Sequence, residues 1–297
     1  MDLDAALVRA LQDDGRASIS ELATRLGHPR AVVSARVRRL LAEGEVRVIA
    51  AVDPSFLRQH VLAHLSVQTD GAVGPVGAQL RSMPDTVLVS AVGGTFDIVA
   101  ELRVGSMPEL QDRLGQIRDL PGVASVSTLV YTTVIKGFFV SEYRGAVTLD
   151  DTDVSLIELL QRDGRMSYRA LGDAVRLSAS AVTTRVHRLI SRGVIKISAV
   201  ETRGLAHRQL SMGVGLSMRG NDERMIEALR ESRGVDFATR TVGRFDLVAT
   251  LVQPSAGDLY ASLERIRADP GVERIESWLH LAVLKEDYTR SLRPARS

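Results

Sequence analysis

Apolar positions follow a helical period at the start of the chain and a strand period further on. Leu7, Val8 and Leu11 form one helical stripe, and the Asp14-Gly15 pair after it is expected to end that helix with a left-handed glycine. Leu22 and Leu26 stand four apart in a short segment that starts near Ser20. A longer helix is expected over Arg30 to Glu43, with Val33, Val37, Leu40 and Leu41 inward and Gly44 as its stop. A strand pattern then runs from Val61 to Thr69, followed by a helical segment to about Ser82. Two further strands, Thr86 to Val92 and Phe96 to Val104, flank the turn Gly93-Gly94-Thr95. A helix from Met107 to Asp119 stops at Pro121-Gly122, and a last strand covers Val123 to Tyr131. The order β-α-β-β-α-β is the ferredoxin-like plan.

Shifted by 149 residues, the chain meets itself. Asp14-Gly15-Arg16 returns as Asp163-Gly164-Arg165, Phe96-Asp97 as Phe245-Asp246, and Pro121-Gly122-Val123 as Pro270-Gly271-Val272. From Gly15 to Ala51, 11 of 37 positions are identical at this offset, and no gap interrupts the register. A period of that length means duplicated domains rather than a solenoid. The fold class expected is therefore α+β: two copies of a winged, three-helix helix-turn-helix domain, each followed by a ferredoxin-like βαββαβ domain. The boundaries read as 1–52, 61–140, 151–200 and 209–288, with linkers near Asp53 to His60, Ser141 to Asp150 and Thr202 to Arg208.

Composition narrows the chemistry. The 297 residues contain no cysteine, which excludes disulfides, thiolate metal sites and cysteine nucleophiles. No apolar run approaches the roughly 18 residues of a membrane helix, and the acidic start Met1-Asp2-Leu3-Asp4 is unlike a signal peptide. A cytoplasmic location is expected, with no membrane partner. His28, His60, His64, His187, His207 and His280 show no metal-ligand spacing, so structural or surface roles are expected, with no metal, no other cofactor and no catalytic residue. Trp278 and Tyr260 are expected to fill a core or an interface.

The net charge is only +2, but it is unevenly spread. Pro29 to Arg47 carries five arginines against two glutamates, and Ser178 to Lys196 carries Arg185, Arg188, Arg192 and Lys196 with no acid. The third helix of a helix-turn-helix enters the major groove with its N-terminal half against base edges. Opposite the apolar stripe, copy one offers Arg30, Ser34 and Arg38 beside the small Ala31 and Ala35, with Arg36 and Arg39 alongside. Copy two offers Ser178 as N-cap, then Ser180, Thr183, Thr184, Arg185, His187 and Arg188. Arginine can take guanine bidentately or hold a phosphate. A solvated amphipathic helix would carry one such face; two copies with the same spacing favour duplex DNA as the partner.

Asp14-Gly15-Arg16, Ser18, Glu21-Leu22-Ala23, the run Arg36 to Leu40 and Gly44 together resemble the leucine-responsive/AsnC (Lrp/AsnC) family of transcriptional regulators. The resemblance covers nearly the whole chain, twice. It implies dimerisation through the ferredoxin-like domains, further homo-oligomers, and a small-molecule effector, such as an amino acid, near the turns Gly94-Thr95-Phe96-Asp97 and Gly243-Arg244-Phe245-Asp246. On residues alone those turns read equally as ligand sites, through Gly94, Thr95, Asp97, Gly243, Arg244 and Asp246, or as plain hairpins. A fused pair can fold as its own pseudo-dimer with unlike heads, and its operator is then asymmetric. Siroheme decarboxylases share the two-domain architecture, so a decarboxylase-like enzyme of haem biosynthesis is the alternative to a non-enzymatic regulator.

Overall fold

A computed structural model describes residues 3–54, 56–137, 147–201 and 209–287. The first half contains α1 (Leu3–Asp13), α2 (Ile19–Leu26), α3 (Arg30–Ala42) and β1 (Val46–Val52). After these come β2 (Val61–Thr69), α4 (Val73–Ser82), β3 (Thr86–Gly93), β4 (Ile98–Val104), α5 (Met107–Arg118) and β5 (Val123–Lys136). The second half repeats the order with α6 (Asp151–Arg162), α7 (Tyr168–Val175), α8 (Ala179–Ser191) and β6 (Ile195–Glu201). It continues with β7 (Leu210–Met218), α9 (Glu223–Glu231), β8 (Val235–Val242), β9 (Leu247–Gln253), α10 (Ala256–Arg267) and β10 (Val272–Glu286). The expected linker over 202–208 and most of the one over 141–150 lie outside the described residues. No helix among the described residues is long and apolar enough to cross a membrane.

The chain divides into two compact units, each drawing on both halves. One unit joins the two three-helix segments. Val33, Val37 and Leu40 of α3, Val182, Val186 and Leu189 of α8, and Leu7, Leu11, Leu156 and Leu160 of the first helices share one buried cluster. The sequence pattern gives no strand span before Val61, yet β1 and β6 are strands that pair with each other, Val46 opposite Glu201 and Val52 opposite Ile195. Neither has a partner within its own copy, so one copy read alone hides both. Gly15 and Gly164 also differ from expectation: neither has a positive φ. Gly15 N–H donates to Ile197 O (3.2 Å) and Gly164 N–H to Val48 O (2.8 Å). A Cβ on Gly15 would lie 2.9 Å from Ile197 O and one on Gly164 3.0 Å from Val48 O. These glycines permit a close approach to the other copy's strand rather than a cap.

The other unit is a closed eight-stranded barrel in the order β10-β3-β4-β2-β5-β8-β9-β7. Each copy contributes a four-stranded sheet with its first and third strands central, and β5–β8 and β10–β3 pairs join the two sheets edge to edge. The last strands consequently outrun their expected ends at Tyr131 and His280. β5 pairs with β2 up to Val130 and then with β8 to Lys136. β10 passes likewise from β7 to β3 at Leu279. Closure removes the exposed sheet edges. Helices cover the outside over one cluster per copy, and Val92, Val99, Leu129, Phe245, Val248 and Trp278 form a further buried cluster.

Candidate nucleic-acid interface and regulatory turns

Local sequence sets each candidate reading helix. Ser18 and Glu21 form a reciprocal capping box on α2, and Gly27 (φ 67°) ends it. Ser178 Oγ accepts from Ala181 N–H (3.2 Å) at the start of α8. Pro29 fills the same place before α3 and makes no side-chain cap. Both helices bury one stripe, and Arg30, Arg38, Ser180, Thr184 and His187 are exposed on the other, with Ser34 and Thr183 half-buried. Thr183 and Thr184 hydroxyls donate back to Ala179 O and Ser180 O, and Arg38 Nε to Ser34 O.

The remaining arginines are held by acids. Asp4 on α1 meets Arg36 (3.2 Å) and Arg39 (2.6 Å), and Arg39 also reaches Glu43 and Glu45 at 2.8 Å. In copy two the buried Asp153 meets Arg185 (2.9 Å) and Arg188 (2.5 Å), and Asp150 takes a further bond from Arg185 at 2.7 Å. Backbone and Arg185 bonds hold the Asp150 carboxyl below its usual range. The sequence reading did not single out Asp4 and Asp153, although they coincide at the 149-residue offset. They pin the first helix of each three-helix segment to the third, the candidate reading helix.

Arg16 donates to Gly164 O (2.6 Å) and Met166 O (3.0 Å), and Arg165 to Gly15 O (2.7 Å) and Ala17 O (3.0 Å). The repeated Asp-Gly-Arg is thus a reciprocal clamp between the copies.

In the barrel unit, Gly94 (φ 145°) and Gly243 (φ 144°) adopt a conformation open to glycine. A Cβ on Gly94 would lie 3.2 Å from Ser277 O, and one on Gly243 2.5 Å from Leu129 Cδ2. Each turn therefore packs on the last strand of the other copy. Asp97 accepts from Thr69 N–H (2.8 Å) and Asp246 from Met218 N–H (2.7 Å). Gln68 donates to Thr95 O at 3.1 Å. Arg244 lies over the Phe96 and Phe245 rings, 4.5 and 4.4 Å from their centres, and pairs with Glu276 at 2.9 Å. Two histidines that the sequence placed only as structural or surface groups are buried in the barrel unit. His64 and His280 line a crevice of about 10 Å³ with Glu101, Tyr131, Phe237 and Trp278. Burial, with Arg244 near, pushes the His64 imidazole down to about 4. Among the described residues no cluster of three or more His, Asp or Glu is placed to hold a metal.

Residues 149–190 match the model of the AsnC-type helix-turn-helix domain, 2–47 that of a winged helix-turn-helix DNA-binding domain, and 60–138 that of the Lrp/AsnC ligand binding domain. An uncharacterized HTH-type transcriptional regulator of Pyrococcus abyssi is 33% identical over 138 residues, 46% of this chain and 87% of that protein. The HTH-type transcriptional regulator LrpA of Mycobacterium tuberculosis is 34% identical over 135 residues, 44% of this chain and 90% of that protein. The crystal structure of the siroheme decarboxylase NirDL matches with a TM-score of 0.62 at 16% identity, over 98% of this chain and 95% of that one, a likeness of fold.

Proposed function

The chain belongs to the Lrp/AsnC family of transcriptional regulators, and from that premise we propose that it binds duplex DNA with both three-helix units and answers to a small-molecule effector. On this reading residues 1–52 and 151–200 are DNA-binding domains, 61–140 and 209–288 are regulatory domains, and one chain does the work of a dimer in the cytoplasm. The observation that carries it is the two-sidedness of α3 and α8. Their apolar stripes are buried, and Arg30 and Arg38, or Ser180, Thr184 and His187, stand exposed opposite. Base contact falls to these residues with Ser34 and Thr183. Arg36, Arg39, Arg185 and Arg188, already held by acids, keep a share in phosphate contact, and Ser178 serves as the cap. Effector response is assigned to the turns carrying Gly94, Thr95, Asp97, Gly243, Arg244 and Asp246, which lie between the sheets and would transmit any shift of one against the other.

Fluorescence anisotropy on fragments from the protein's own genome tests the reading. Arg38→Ala and His187→Ala should each weaken specific binding by about 1–3 kcal/mol with little change on random DNA. Equal loss on both DNAs would remove these residues as base readers, and no binding by the wild-type chain would remove the proposal.

The fold shared with a siroheme decarboxylase supports a second reading, an enzyme acting on a tetrapyrrole. Against it, the crevice beside His64 and His280 holds about 10 Å³, room for one water. An absorbance titration decides: tight tetrapyrrole binding with release of carbon dioxide replaces the regulator with the enzyme.

A further inference from the structure

The duplication lets each helix be compared with its own counterpart, and α7 departs from α2 in its arginines. α2 opens with Glu21 of its capping box and closes on Gly27, and its one arginine, Arg25, is tied to Asp13. α7 opens with Ser167 Oγ accepting from Ala170 N–H at 3.1 Å and has no acid in its first turn. At the 149-residue offset Ser20 becomes Arg169, Glu21 becomes Ala170 and Gly27 becomes Arg176. Both new arginines stand where local physics disfavours them. Arg169 sits in the first turn, where the helix dipole repels a cation. Arg176 closes the helix with φ 58° and ψ 42°, the left-handed conformation that Gly27 adopts without a Cβ. Nothing inside the protein compensates either one. Both are exposed, and neither side chain makes an ion pair, a hydrogen bond or a ring contact among the described residues. The exposed Asp173 follows Arg169 by four residues but forms no ion pair with it, and an acid on the C-terminal side of a base is the weaker order for such a pair.

We propose that Arg169 and Arg176 make α7 a phosphate-holding helix, gripping the DNA strand beside the half-site that α8 reads. The inference rests on the reading of α8 as the groove helix. In a helix-turn-helix the helix before the reading helix crosses the DNA backbone, which sets α7 and the turn holding Arg176 against phosphates. The two arginines are seven residues apart in sequence, about 10 Å along a helix. Phosphates of one strand advance about 3.4 Å per nucleotide, so the pair spans about three of them. The planar guanidinium takes two phosphate oxygens through charge-assisted hydrogen bonds. A side chain held in a sparsely populated conformation marks function when nothing local explains it, and a phosphate supplies the counter-charge that the chain withholds. Copy one has no such pair, since Ser20 and Gly27 fill the two positions. The acid-held Arg36 and Arg39 recur as Arg185 and Arg188, so the pair on α7 tips the salt-sensitive share of binding toward copy two.

Fluorescence anisotropy of the whole chain on a random-sequence duplex and on a genomic fragment it selects, over a series of potassium chloride concentrations, tests the assignment. Arg169→Ser/Arg176→Gly installs the copy-one residues. It should lower the slope of log affinity against log salt by about 1.8, two phosphate contacts at about 0.9 each, and weaken both DNAs by the same factor. Its melting temperature should equal or exceed that of wild type, which separates the loss from a folding defect. Arg118→Ala/Arg219→Ala removes two exposed charges from the barrel unit and should leave the slope unchanged. A wild-type slope in the α7 variant, an equal fall in the barrel variant, or a lower melting temperature in the α7 variant would each overturn the proposal while DNA binding itself stands. A wild-type chain that binds neither duplex would remove the reading of α8 and this assignment with it.

Discussion

At the scale of single residues, the two copies show which side chains work against their backbone. Gly27 closes α2 in the left-handed region, and its counterpart Arg176 closes α7 with φ 58°. A Cβ there costs on the order of 1 kcal/mol. Arg176→Gly should therefore raise the urea midpoint of the head unit, by about 1 kcal/mol in stability; an unchanged or lower midpoint would show that the arginine side chain compensates locally. His64 makes the opposite kind of demand. Its folded imidazole stays neutral down to about 4, whereas the unfolded chain takes a proton near 6.5. The unfolded state then binds more protons in between, so stability falls as pH drops through that window and is level above it. The fully buried ring makes the loss about 3 kcal/mol at its limit. His64→Leu should flatten the urea midpoint between pH 6.5 and 4, and a slope equal to wild type would assign the acid sensitivity elsewhere.

At the scale of elements, the helices and the strands β2, β3 and β4, which pair within their own copy, were the legible part. α3, α5 and α8 fall within a residue or two of their expected spans, because stripe, cap and stop agree within one segment. Ser178 was readable as a cap from residue type alone, and the structure adds that Pro29 in the same place of copy one makes no side-chain cap. Elements whose partners lie in the other copy were not legible. β1 and β6 pair only with each other, β5 and β10 run on into a foreign sheet, and Gly15 looks like a helix stop until the strand pressed against it is seen. The candidate reading residues were visible as a polar face, but their division into anchored and outward groups was not, since that depends on Asp4 and Asp153 meeting them across the head. The glycine contact carries its own test. Gly15→Ala would put a methyl 2.9 Å from Ile197 O, an overpacking that costs about 1–3 kcal/mol. Differential scanning calorimetry should show the head unit melting earlier; an unaltered transition would mean that β6 gives way without cost.

At the scale of the whole molecule, duplication changes what a DNA-binding pair can read. In a symmetric dimer the same residue appears in both half-sites, so the optimum is a palindrome. Here the positions that differ are the outward ones: Arg30 against Ala179, Ala31 against Ser180, Ala35 against Thr184 and Arg38 against His187. The inward positions Val33, Val37 and Leu40 recur as Val182, Val186 and Leu189. Drift alone would change exposed residues as well, but the two heads also share the β1–β6 pair and the crossed clamps of Arg16 and Arg165. They cannot exchange for a like partner without breaking both. Selection of bound sequences from a random library should therefore return a site with one half rich in guanine, suited to Arg30 and Arg38, and an unlike second half. His187→Arg with Thr184→Ala and Ser180→Ala gives copy two the outward residues of copy one at three of these positions, and the selected site should move toward a palindrome. A palindromic optimum for the wild-type chain, or an unlike site that the triple variant leaves unchanged, would mean that these outward residues do not set the sequence preference.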